Sequence, residues 1–120
     1  MNESTGNVTR ISEGQFDAEV TCAASPVVVD FYATWCGPCK RLSPLLDELA
    51  GPLTNRVKFV KIDVDQSPAL ARRFEVQAIP TVVFFRDGKV VDRIVGLPSG
   101  SELKARLNSL AGPPERLLSP

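Results

Sequence analysis

The stretch Pro26-Val27-Val28-Val29-Asp30-Phe31-Tyr32 puts β-branched and aromatic side chains on both alternating faces of an extended segment. A strand of this kind has no face to give to water, so it predicts the centre of a sheet with helices on both sides. The flanking segments supply those layers. Downstream, Leu42, Leu45, Leu46, Leu49 and Ala50 follow the spacing of one helical face from Cys36 to a stop near Gly51-Pro52, with Pro44 expected to kink it. Val57 to Val64 alternates as a second interior strand, and Ser67-Pro68 opens a short helix with Leu70, Ala71 and Phe74 inward. This β-α-β-α order implies parallel strands joined by right-handed crossovers. Thr81 to Phe85 and Val90 to Val95 flank Arg86-Asp87-Gly88-Lys89, a hairpin signal that demands antiparallel pairing. Ser99-Gly100-Ser101-Glu102 starts a final helix carrying Leu103, Leu107, Leu110 and Ala111. Upstream, Ser12 with Gln15 marks the start of a helix from about Glu13 to Ala23. The sum is an α/β domain with a mixed sheet.

A chain of 120 residues, 43% hydrophobic, supports one core and not two. The polar opening and the proline-rich close read as tails, 1–6 and 112–120, around a domain at 7–111. Fourteen Lys and Arg balance fourteen Asp and Glu, so no electrostatic footprint for nucleic acid or an anionic membrane exists. The absence of a membrane-length apolar run and of a secretory core in the first residues predicts a cytoplasmic protein.

The chemistry is concentrated in Trp35-Cys36-Gly37-Pro38-Cys39. Cys36 falls where the buried strand turns into a helix, and unpaired N–H groups and the macrodipole at that end favour thiolate. Cys39 lies one turn further in, so Cys36 is expected to be the exposed attacking thiol and Cys39 the resolving one. Three other readings compete. Zinc wants about four ligands, and the chain offers one C-x-x-C pair, a distant Cys22 and no His. A structural disulfide would close too short a loop to constrain the unfolded chain much. Inert core thiols fit poorly with Gly-Pro between the cysteines. Cys22 reads as a small, partly buried apolar residue. Asp30 is either a buried carboxyl with a raised pKa or a strand-end Asp bonded to backbone, and Lys61 is either that acid's partner or a snorkelling edge lysine.

With W-C-G-P-C at a strand-to-helix turn, Asp65-Gln66-Ser67-Pro68, Ile79-Pro80-Thr81, the Asp87-Gly88 hairpin and Gly96, the chain resembles the thioredoxin family over about Asn7 to Ala111. The resemblance implies a thioredoxin fold, a mixed central sheet of about five strands flanked by four helices. It implies a protein-disulfide reductase working by reversible oxidation of the Cys36-Cys39 dithiol. It implies that Asp30 helps deprotonate Cys39, that Lys61 is the partner of Asp30, and that Pro80 is cis and faces the dithiol. Trp35, Gly37, Pro38, Ala78, Ile79, Pro80, Gly96 and Leu97 would form a substrate platform, although Ala78 and Leu97 read equally well as ordinary loop residues. The expected partners are disulfide-containing target proteins and, as electron donor, an NADPH-dependent flavoprotein, thioredoxin reductase. No dinucleotide fingerprint is present, so no cofactor is expected in the chain, no metal either, and the protein should act as a monomer. Tyr32 departs from the many bacterial members that carry a second Trp there. A binding module that uses the same platform without redox chemistry is the rival reading from outside the enzymes.

Overall fold

The computed structural model describes residues 6–112, so of the two expected tails only Gly6 and Gly112 fall within it and the remainder lies outside the described residues. Its centre is strand β2 (Val27–Tyr32), buried along its whole length. β2 pairs in parallel with β3 (Lys58–Asp63) and antiparallel with β4 (Thr81–Arg86). The outer positions belong to β1 (Thr9–Arg10), parallel to β3, and β5 (Lys89–Val95), antiparallel to β4, giving the order β1-β3-β2-β4-β5. A parallel β2–β3 pair needs a crossover, and α1 (Gly37–Ala50) supplies it. Helix α2 (Pro68–Arg73) precedes β4, and α3 (Gly100–Ala111) follows β5.

The two-residue period of β2 divides the core in two. Val28 packs with Leu42, Leu46, Leu103 and Leu107 under α1 and α3. Val27, Val29 and Phe31 pack on the opposite face with Phe16, Val20, Leu70 and Phe85. There the Phe74 ring meets Phe16 and Phe85 at centroid distances of 5.3 Å each. Asp30 shares its side of the strand with Val28 and Tyr32, which places it beneath the start of α1.

The secondary structure differs from the sequence expectation in two places. Thr9–Arg10 forms a strand that no alternation announces, because two exposed residues are too few to show a period. The segment expected as a helix from about Glu13 to Ala23 is a 3-10 turn, Glu13–Gln15, followed by a π-helical turn, Asp17–Thr21. Gly14 and the β-branched Val20 and Thr21 are weak α-helix formers, and burial of Phe16 and Val20 in the core overrides ideal geometry. Cys22, at the end of this turn, is exposed instead of partly buried.

The hairpin is as its residues demand. Asp87 and Gly88 both take positive φ, 56° and 77°, as the tightest antiparallel connections require. A Cβ at Gly88 would also stand 2.6 Å from the Thr21 carbonyl oxygen, so position 88 has no room for a side chain. Helix α1 carries Pro44 in its interior without ending there.

Candidate active site

Cys36 is the N-cap of α1, in extended conformation, with Pro38 in the first turn. Its Sγ accepts the Cys39 N–H at 3.2 Å, so one of the unpaired donors of the helix end points at the sulfur. The two cysteines are joined as a disulfide with Cα atoms 5.3 Å apart. Both are buried, Cys36 4% and Cys39 3% exposed, in a small cluster with Tyr32 and Ala33 on which Val64 and Ile79 pack. Exposure therefore does not separate the pair as the sequence suggested, because the end of β2 underlies both and Ile79 covers them. What separates them is position: Cys36 at the cap, where N–H groups favour thiolate, and Cys39 inside the first turn.

The segment before β4 is pinned against the dithiol from both sides. The Ile79–Pro80 bond is cis, and the Ile79 carbonyl oxygen lies 3.8 Å from Cys36 Sγ. Thr81 Oγ1, itself buried, donates to the Ala78 carbonyl at 2.6 Å, and the Gly96 N–H donates to the Pro80 carbonyl at 2.8 Å. Gly96 meets Pro80 with φ of 87°, a conformation that suits glycine. Leu97, next in the chain, is exposed, as are Gly37, Pro38 and Ala78. Trp35 is 67% exposed, and its indole N–H donates to Asp65 Oδ2 at 2.8 Å. Trp35, Val64, Ala71, Val76, Ala78 and Ile79 line a cleft of about 350 Å³ beside the dithiol.

Asp30 stands in the middle of β2 and not at a strand end, 2% exposed, and its Oδ1 has no hydrogen-bond partner among the described residues. Burial raises its pKa from the ordinary 3.8 to about 7, with the nearby Lys61 ammonium holding it partly down. Lys61 is the register partner of Asp30 on β3. Because β1 covers the outer side of β3, Lys61 is on an interior strand and buried, and its Nζ lies 5.2 Å from the centre of the Tyr32 ring. Asp30, Tyr32 and Lys61 thus gather on one face of the sheet below the cysteines.

Sequence reasoning did not single out Asp65, Val64 or Thr81 as parts of this region. Asp65 was visible within Asp65-Gln66-Ser67-Pro68, and an exposed indole beside a dithiol invites a search for its acceptor. Which carboxylate would meet it depends on the ends of β2 and β3 being adjacent.

A thioredoxin family model matches residues 7–109. The chain is 40% identical over 111 residues to the thioredoxin of Mycobacterium tuberculosis, covering 92% of this chain and 96% of that one. It is 43% identical over 89 residues to the thioredoxin of Staphylococcus saprophyticus, 74% of this chain and 84% of that one. A bifunctional thioredoxin reductase/thioredoxin of Mycobacterium leprae is 40% identical over 108 residues, and this chain spans only 24% of its length. The chain belongs to the thioredoxin family, and Cys36-Cys39 is the redox-active pair of a thiol-disulfide oxidoreductase that reduces disulfides.

Proposed function

We propose that Cys36 attacks the disulfides of target proteins and that Cys39, assisted by Asp30, completes their reduction, within a domain spanning 7–111. The observation that carries this reading is the placement of Cys36 Sγ at the cap of α1, accepting the Cys39 N–H, above a buried acid that titrates near 7. Cys36 thiolate attacks one sulfur of the target, forming a mixed disulfide and releasing the other target sulfur as thiolate. Cys39 loses its proton toward the Asp30 carboxylate, attacks Cys36 Sγ and expels the second target sulfur. Two electrons have then passed to the target, and Cys36 and Cys39 are joined. Lys61 keeps enough of Asp30 ionised near neutral pH for it to accept that proton. Trp35, Gly37, Pro38, Ala78, Ile79, Pro80, Gly96 and Leu97 present the apolar and backbone surface on which the target segment lies.

The oxidised pair needs an electron donor, and an NADPH-dependent thioredoxin reductase fills that role. The Mycobacterium leprae relative, whose name joins reductase and thioredoxin in one chain, supports this assignment. The protein works as a monomer in the cytoplasm. Among the described residues, no helix is long and apolar enough to cross a membrane, which is compatible with that location.

The test is capture. With Cys39→Ser, a target disulfide should leave a stable mixed disulfide on Cys36, located by peptide mass spectrometry after alkylation. An adduct confined to Cys22, or no adduct, would sink the assignment of Cys36 as nucleophile.

A further inference from the structure

Trp35 is the only tryptophan in the chain, and it combines large exposure with a fixed bond. An indole N–H at the surface can bond to water at no cost, so the Asp65 contact adds little to folding stability. Its effect is on orientation. The acceptor is itself secured: the Asp65 N–H donates to Oδ1 of the buried Asp63 at 2.9 Å. The Asp63 carbonyl accepts the N–H groups of Gln66 and Ser67 at 3.1 and 2.9 Å, and the Val64 N–H donates to the Tyr32 carbonyl at 2.8 Å. The turn that carries Asp65 is therefore fastened to the ends of β3 and β2, the same β2 end that underlies the dithiol.

We propose that Asp65 is a positioning residue for the reductase reaction, holding the Trp35 indole in one orientation at the edge of the cleft so that a polypeptide target meets a preformed apolar wall. The proposal rests on the reading of Trp35 as part of the target platform. An unheld indole would sample several rotamers, and each encounter would have to order it at an entropic cost. That cost falls on binding of a polypeptide, so it appears in KM more than in kcat.

The experiment pairs time-resolved fluorescence anisotropy of Trp35 with steady-state reduction of insulin, using thioredoxin reductase and NADPH. In Asp65→Ala the nanosecond motion of the indole should grow, and the KM for the protein should rise roughly threefold to tenfold, the range one hydrogen bond supports. Asp65→Asn, whose amide oxygen still accepts the indole N–H, should restore most of both. In Trp35→Phe, which lacks the N–H, adding Asp65→Ala should change KM no further. An indole equally rigid in Asp65→Ala would overturn the clamp, and so would an equal rise in KM on the Trp35→Phe background. Wild-type KM in Trp35→Ala would instead overturn the platform reading on which the proposal stands.

Discussion

Asp30 and Lys61 are register partners on adjacent parallel strands, both buried on the face beneath the dithiol, where the acid titrates near 7 while the lysine draws it down. In the function proposed above Asp30 takes the proton of Cys39, and a pKa close to working pH favours such a transfer.

The same pair makes stability depend on pH. The unfolded carboxyl titrates near 3.8 and the native one near 7, so between those values the native state holds a proton that the unfolded chain has released. Stability therefore falls as pH rises through that window and is lowest above it, by about 4 kcal/mol relative to acid. Asp30→Asn removes this loss and should be more stable than its parent at pH 8, with the difference shrinking toward pH 5. Urea titrations of the two oxidised proteins at both pH values decide the matter.

Asp30→Asn should also separate the two halves of the reaction. First attack by Cys36 should proceed near the parent rate, and release by Cys39 should slow by roughly a hundredfold to ten-thousandfold, the usual contribution of a general base. Quenched-flow alkylation would then find mixed disulfide accumulating. Release at the parent rate would leave Asp30 a structural carboxylate.

Replacing Lys61 by Met keeps an unbranched side chain, one atom shorter, and deletes its charge. The Asp30 pKa should move further up, since the cation is what opposes burial. The pH at which release becomes fast should rise with it, and a pH–rate profile of mixed-disulfide resolution reads the displacement directly.

Two backbone positions should respond in opposite directions. Glu75, just past α2, holds φ of 57°, a left-handed conformation that glycine adopts freely. Glu75→Gly should stabilise by about 0.5–1 kcal/mol after the greater entropy of the unfolded glycine is subtracted. Gly88→Ala should destabilise by about 2–3 kcal/mol, because the new Cβ would meet the Thr21 carbonyl in a conformation alanine avoids. Equilibrium denaturation of each variant checks both signs.

Hydrophobic period and turn chemistry in the sequence were sufficient for the central strand, the α1 and α3 faces, the Asp87-Gly88 hairpin and the position of Cys36 at a helix start, because each is a local pattern repeated over several residues. The resemblance carried by Trp35 to Cys39 and Ile79 to Thr81 added the family and the cis bond at Pro80. Local pattern failed where tertiary contact outweighs propensity: the π-helical turn around Val20, the two-residue β1, and the burial of Cys36. Lys61 shows the reason most clearly. Alone it is an amphipathic side chain that fits an edge as well as an interior, and only the pairing of β1 outside β3 decides between them. Asp65 likewise met Trp35 only when β2 and β3 came together in parallel, since the hydrogen bond spans 30 residues of sequence and no local rule reaches that far.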